Sequence, residues 1–428
     1  MSLDVLLIGS GGREHALAWS ISQSEQLGEL YAVPGNAGIA DVCQCVDLDT
    51  SDFGAIISFV QKNEIDLVVI GPEQPLVDGL GDYLEARDVA VFGPSKAAAR
   101  LEGSKAFAKK FMNQHDIPTA SHRTFQQDEF DEVAEYVKRE NRYPVVLKAS
   151  GLAGGKGVFI CKDQSEVEQR LSVLKNKFKD ASQTLVVEEF MEGEEASVFV
   201  ISDGRTAKIL GTAQDHKRIG DGDTGLNTGG MGAYAPSPLL DEKLIDQIDR
   251  NIIMPTISGM LVDDKPYKGI LYLGLMVTEG QARVVEYNCR FGDPECQVIL
   301  PLLKNDLLDL MWAAANENLH EKEIVTGNDY CCCVVMASDG YPVKYEKGFP
   351  ISGFDELDNS TVVFQSGTAK KNGQTITDGG RVLGVVQKDS ELKKAIDKTY
   401  REVEKISFKN VYYRSDIGQK GLKHVNSQ

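Results

Sequence analysis

Val284-Val285-Glu286-Tyr287-Asn288-Cys289-Arg290-Phe291-Gly292-Asp293-Pro294-Glu295 begins as a strand and ends as a charged turn. The valines are strand formers, and Gly292 and Pro294 stop the run. Side chains alternate along a strand, so Glu286, Asn288 and Arg290 are expected on one face. That face carries a carboxylate, an amide oxygen and a guanidinium. The two oxygens are hard ligands suited to Mg²⁺, and an arginine beside the metal suits a phosphate. The stretch reads as the floor of a phosphoryl-transfer site. An amphipathic strand with its charges in water has the same pattern, so the surrounding chain decides between the two.

That chain has 428 residues, enough for about three domains at ~150 residues each. Its net charge of -18 excludes a general nucleic-acid binder, which needs a basic surface. An anionic substrate must then be met by a local basic pocket, not by the overall field. No apolar run approaches the ~20 residues that cross a bilayer. The opening Met1-Ser2-Leu3-Asp4 lacks the basic segment, apolar core and cleavage site of a secretory signal. A cytoplasmic chain with no membrane or nucleic-acid partner is expected. The eight cysteines show no paired CxxC spacing, and Cys331-Cys332-Cys333 lie in an apolar run as buried strand residues.

At the N-terminus, the apolar run 3–8 leads through Gly9-Ser10-Gly11-Gly12 into a helix. A glycine turn between strand and helix presents backbone N–H groups and a positive dipole end, which suits an anion. A dinucleotide fingerprint would need a third glycine where Glu14 stands, so a phosphate or sugar-phosphate is the better occupant. Two further strand–helix units, at 65–87 and from 89, predict a doubly wound parallel sheet with Pro34–Gly38 and Gly71–Glu73 at its carboxyl ends. This first domain is expected to end near residue 101.

A helix capped by Ser104 follows, carrying Lys105. Residues of about 120–190 read as a small α+β module. Within it, Lys148 ends a strand and Gly151, Gly154, Gly155 and Gly157 surround Lys156. A strand follows this loop, and the GK[ST] ending of a P-loop is missing. It reads as a hairpin flap over a triphosphate, its glycines letting backbone approach phosphate. Thr184 to Glu189 is an apolar strand running into the acid-rich Glu188-Glu189-Phe190 and Glu194-Glu195, able to grip a nucleoside. The stretch from Gln214 to Tyr234 reads as long and irregular but carries His, Lys, Arg and Asn, as a substrate loop would. The last ~100 residues read as a separate α+β module, with Gly379-Gly380-Arg381 its one chemical feature.

Taken in order, these segments resemble the ATP-grasp ligases, and most closely the phosphoribosylamine–glycine ligase family. The resemblance spans about residues 5–386. It implies three domains: 1–101, Rossmann-like; 102–325, an ATP-grasp core with a lid at about 120–190; and 326–428, C-terminal. It also implies that ATP, glycine and 5-phosphoribosylamine give glycinamide ribonucleotide, ADP and phosphate through a glycyl phosphate. Another ATP-grasp carboxylate–amine ligase is the alternative. By the resemblance, Lys105, Lys148, Gly154, Gly155 and Lys156 meet the ATP phosphates, Glu188, Glu189 and Phe190 the adenine, and Glu195 the ribose. Glu286 and Asn288 match the ligands of Mg²⁺ or Mn²⁺, and Arg290, Lys148 and Asp293 the catalytic groups. Asp215, His216, Lys217, Asn227, Gly229 and Gly230 match the substrate region, and Gly11, Gly12, Asn36 and Gly38 the N-terminal pocket. A monomer is expected. Leu226 stands where many relatives carry proline, Gly154 where many carry alanine, and Leu271 to Val277 lacks the extra metal carboxylate of other branches.

Overall fold

The structure, a computed structural model, describes residues 2–154, 156–178 and 181–425. Leu3–Gly9 lies at the centre of a five-stranded parallel sheet, in the order Gln44–Cys45, Leu27–Pro34, Leu3–Gly9, Leu67–Ile70, Ala90–Phe92. Leu6 and Ile8 enter one core and Val5 and Leu7 the other. Burial on both faces explains why residues 5–8 and Leu67–Ile70 are continuously apolar. Helix Gly12–Ile21 covers one face and Phe53–Lys62 the other. This is the doubly wound sheet that the sequence predicts. Its carboxyl ends draw the three glycine-bearing turns together: Gly35 N–H donates to Gly9 O, and Gly71 N–H to Ile8 O. The single helix expected around 76–87 is instead two short ones, Glu73–Asp78 and Leu80–Glu85. They break at Gly79, whose φ of +98° only glycine adopts easily.

The small module is a four-stranded antiparallel sheet ordered His122–Gln126, Thr184–Glu189, Val145–Ala149, Val158–Cys161. Helices Phe130–Glu140 and Gln164–Lys177 close its own core, around Phe125, Phe130, Leu147, Val167 and Leu185. The glycine loop joins two antiparallel neighbours, Lys148 facing Val158, as a flap requires.

The large antiparallel sheet runs Gln281–Asn288, Lys268–Thr278, Glu194–Asp203, Ala207–Asp215, Gly232–Ala235, Tyr330–Ser338, Arg381–Asp389, Val362–Gln365. It does not stop at residue 326. Gly232 pairs with Val334 and Ala235 with Cys331, so the last hundred residues extend the same sheet. The stretch 214–234, expected to be irregular, is largely ordered. Gln214 and Asp215 end one strand, Gly232–Ala235 form another, and Arg218–Gly220 and Thr224–Asn227 make a hairpin. Its glycine content hides this: Gly222 and the following Asp223 take φ of +64° and +55° at the hairpin turn, conformations that strand propensity alone does not anticipate. Between helices Glu242–Ile248 and Met254–Val262 lies a wide π turn, Asp249–Ile253. Pro255 follows it, and with no N–H to donate one turn back it disturbs the regular ladder. Among the described residues no helix is long and apolar enough to cross a membrane.

Candidate active site

The strand Gln281–Asn288 carries the opening residues. Gly274 pairs with Glu286 and Leu275 with Val284, so Val285 bulges out of the ladder. A bulge frees backbone groups, and the Val285 carbonyl accepts from the Lys148 ammonium at 3.3 Å. Glu286 lies 4.0 Å from the Lys217 ammonium. Burial would raise its carboxyl, but Lys217, Lys148 and Lys105 more than offset that and hold it below the usual carboxylate range. Asn288 is half-buried, opposite Tyr272. Among the described residues no cluster of three or more His, Cys, Asp or Glu could cage a metal. Glu286 and Asn288 nevertheless fit Mg²⁺, which typically takes one or two protein oxygens and completes its shell with phosphate and water.

Behind this strand lies a buried charge circuit. The Glu188 Oε2 atom is 2.8 Å from Lys148 Nζ and 3.3 Å from Lys109 Nζ. Lys109 also donates to Thr119 Oγ1 at 2.7 Å, and that hydroxyl donates to Val284 O at 2.7 Å. Glu188 Oε1 is shut off from solvent and finds no hydrogen-bond partner among the described residues. Burial pulls Lys109 down to about 8 and lowers Lys105 as well. Lys105 opens the helix Lys105–Gln114 capped by Ser104, whose hydroxyl accepts from Phe107 N–H. The Lys105 backbone N–H donates to Ser150 O at 2.9 Å, tying helix start to flap base. In the flap, Gly154 has φ +55° with open space at its Cβ position, and Lys156 is exposed. Gly155 lies outside the described residues. Glu189 pairs with Arg283 at 2.8 Å, and Phe190 is exposed beside it.

Lys217 binds Glu195 at 2.8 Å. Asp215 is buried and burial raises its carboxyl, with Lys217 opposing. His216 departs from expectation. Alternation along the chain turns it away from Asp215 and Lys217: its Nδ1 faces Gly232 O and its Nε2 accepts from Gly418 N–H. It is fully buried beside Tyr234, so the structure does not bring its imidazole to the lysine cluster. Lys420, from the last helix, donates to Asp215 O. Glu295 is buried too, and burial followed by Asp215 raises its carboxyl.

Arg290 follows the end of the strand at Asn288. Its Nε reaches Glu73 at 3.1 Å, its Nη2 Glu102 at 2.8 Å, and its Nη1 the Phe291 carbonyl at 3.1 Å. A guanidinium has five N–H donors, so two have no hydrogen-bond partner among the described residues. Burial would raise Glu73, but Arg290 and Arg13 hold it down to about 2. These contacts pin the floor strand to the first sheet's turns.

Asp293 is clamped by Arg381 at 2.9 Å and by Gln297 Nε2 at 2.7 Å. Arg381 also donates to the Gly229 and Asp293 carbonyls at 2.7 and 2.6 Å, so it joins the loop at Gly229 to the Asp293 turn. Gly11 and Gly12 pack against this turn; a Cβ on Gly12 would sit 2.7 Å from Gln297 Nε2. Asn36 spends its side chain on the fold, donating to Ser10 O and Gln365 O and accepting from Gly38 and Ile39 N–H. Gly38 leaves room for His15, and Asn227 and Gly229 lie exposed at the loop rim with Gly230 buried behind them.

Sequence reasoning missed Lys109, Glu295, Lys420 and Arg414, and noted Arg381 only as part of a glycine run. Lys109 had one available signal: it sits four residues after Lys105, on the same helical face.

Three family profiles match the chain in order: the phosphoribosylglycinamide synthetase N domain at 3–102, its ATP-grasp (A) domain at 103–296 and its C domain at 331–420. The phosphoribosylamine–glycine ligase of Agrobacterium fabrum is 47% identical over 421 residues, covering 98% of this chain and 99% of that one. The crystal structure of the phosphoribosylamine–glycine ligase of Thermotoga maritima superposes with a TM-score of 0.82 at 33% identity, over 97% of this chain and 100% of that one. The Campylobacter jejuni biotin carboxylase shares the fold at a TM-score of 0.72 and 16% identity, over 99% of this chain and 94% of that one.

Proposed function

The chain belongs to the phosphoribosylglycinamide synthetase family, and from that premise we propose how its residues divide the work. The enzyme ligates glycine to 5-phosphoribosylamine at the expense of ATP, giving glycinamide ribonucleotide, ADP and phosphate in purine biosynthesis. One observation carries the residue assignment. In a chain of net charge -18, the Lys217 ammonium stands 4.0 Å from the Glu286 carboxylate and the Lys148 ammonium reaches the neighbouring Val285 carbonyl at 3.3 Å. A triphosphate with its metal needs such a local basic pocket.

In this reading adenine lies against Glu188, Glu189 and Phe190, the ribose meets Glu195, and Lys105 and Lys148 neutralise phosphate oxygens. Gly154 and Lys156 close over them. Glu286 and Asn288 would hold Mg²⁺ or Mn²⁺, which would supply positive charge against the phosphates. Arg290 turns its two spare N–H donors to the transferred phosphoryl group. The glycine carboxylate attacks the γ-phosphorus and ADP leaves. The amine of phosphoribosylamine then attacks the acyl carbon of the glycyl phosphate, and phosphate leaves with the acyl C–O bond. Such chemistry needs positioning and charge neutralisation, not a protein nucleophile. Asp215, Lys217, Asn227, Gly229 and Gly230 line the acceptor side, with Asp293 at its centre and Gly11, Gly12, Asn36 and Gly38 shaping the N-terminal wall. We place domain limits at 101 and 325, with the lid at about 120–190, and expect a cytoplasmic monomer.

The test is ADP formation with Mg-ATP, glycine and phosphoribosylamine generated in situ, each omitted in turn. ADP release requiring both acceptors is expected. Release that needs neither, or only another acid, would send the acceptor assignments back.

A further inference from the structure

Lys109 lies outside every role assigned above, yet it is as buried as the hinge carboxylate it touches, both about 2% exposed. Its ammonium makes two directed contacts, to Glu188 Oε2 at 3.3 Å and to Thr119 Oγ1 at 2.7 Å. Thr119 in turn donates to Val284 O on the metal-bearing strand. Lys148 approaches the same Glu188 oxygen from the other side at 2.8 Å and reaches the Val285 carbonyl. One carboxylate oxygen is thus held by two ammonium groups, each moored to adjacent carbonyls of the strand Gln281–Asn288. The other oxygen, Oε1, is buried and has no donor among the described residues. A buried acceptor without a donor is costly, and it sits at the hinge where the nucleotide base is placed. Two bases compete for such a spot. A 6-amino purine brings an N–H donor there; a 6-oxo purine brings another acceptor, which a carboxylate repels.

We propose that Lys109 is a positioning residue for nucleotide specificity: with Lys148 it fixes Glu188 so that Oε1 accepts from the 6-amino group of adenine and rejects a 6-oxo purine. This rests on the reading of Glu188 as part of the adenine hinge. Lys109 itself does not touch the base.

The test compares ATP with ITP as phosphoryl donor in the full-length enzyme, using Lys109→Met, Thr119→Val and Glu188→Gln. Lys109→Met leaves Glu188 with Lys148 as a neutral pair, so the fold is expected to survive. A contact to a charged group is worth about tenfold or more in affinity. We expect Lys109→Met to raise KM for ATP about tenfold while leaving KM for ITP, glycine and phosphoribosylamine within twofold. Thr119→Val, which removes only the mooring of Lys109, should move the ATP:ITP ratio in the same direction by less, and it carries the test if Lys109→Met does not fold. An equal rise for ATP and ITP overturns the proposal, because a merely structural role or one through the phosphates acts on both. An unchanged ratio also overturns it. The Glu188→Gln arm separates the two levels. If it leaves the ATP:ITP ratio intact, the hinge reading itself fails; if it collapses the ratio while Lys109→Met does not, this inference alone fails.

Discussion

The Lys217 ammonium lies 2.8 Å from the Glu195 carboxylate and 4.0 Å from Glu286. One cation therefore serves both the carboxylate assigned to the ribose and the carboxylate assigned to the metal. Both side chains of the closer pair are about one-third or more exposed, so the pair contributes little to stability. Its consequence is for binding. Lys217→Met leaves Glu195 and Glu286 to repel each other and the triphosphate with one positive charge fewer. We expect kcat/KM for ATP to fall roughly ten- to a hundredfold, with a melting temperature close to that of the parent. Steady-state kinetics beside a thermal melt checks both halves; a large loss of stability with unchanged kinetics would show that the pair is a scaffold contact.

Glu286→Ala tests the metal assignment. The strand is held by backbone pairing with Lys268–Thr278, and Gly274 opposite the side chain needs nothing from it, so the fold should persist. Three lysines then lose the carboxylate they share, and the metal loses a ligand. Turnover is expected to drop by about 10³ or more, of the order seen when a preorganised electrostatic group is removed. Raising the Mg²⁺ concentration should recover part of it. Parent-like activity at low Mg²⁺ would sink the assignment.

His15 gives the pH dependence a specific window. Burial pushes its imidazole down to about 4, and the Gln365 N–H occupies its Nδ1 lone pair at 2.8 Å. In the unfolded chain it protonates near its ordinary value of about 6.5. Between those values the unfolded state binds more protons, so stability falls as pH drops through 6.5 towards 4. The loss amounts to about 3 kcal/mol by the lower limit. Glu73, held down to about 2, contributes stability that is lost only below its unfolded value near 4.5, so the two windows separate. Urea unfolding at pH 7.5, 6.5, 5.5 and 5.0 should show the decline, and His15→Asn should flatten it. A flat stability from pH 7.5 to 5.0 would show that the imidazole is not held neutral.

Local pattern made part of this legible. Glu286 and Asn288 fall on alternate strand positions, and the parallel sheet follows from apolar runs broken by glycine turns. Where the pattern is carried two residues past the strand, it misleads. The strand stops at Asn288, and Arg290 turns to Glu73 and Glu102 instead of continuing the face. The resemblance groups His216 with Asp215 and Lys217; where the chain is extended, neighbours point apart. Arg414, and Lys109 apart from its spacing to Lys105, are hidden for another reason. Each looks like a solvated cation in its own segment, and only packing against residues distant in sequence buries it.

Arg414 closes the case for that last class. It is the largest fully buried side chain among the described residues, about 1% exposed. Its guanidinium grips both oxygens of Asp416 at 2.7 Å, Asp223 at 2.8 Å and the Arg218 carbonyl at 3.0 Å. Asp416 accepts from Gly222 N–H and Tyr412 donates to Ile219 O, so the C-terminal segment straps down the hairpin that leads to Asn227 and Gly229. Asp223 is exposed and Asp416 partly so, so removing the buried guanidinium costs less than the about 3–5 kcal/mol of a fully buried pair. Arg414→Met should therefore lower the melting temperature by several degrees and speed amide exchange in 218–227. KM for an acceptor substrate should rise while KM for ATP stays put. Arg414→Lys should not rescue it, because a point charge cannot fork onto Asp416 while also reaching Asp223 and a carbonyl. Loss of stability without faster exchange in the hairpin would mean that Arg414 supports the C-terminal core alone, and that the hairpin's position is set from the Lys217 side.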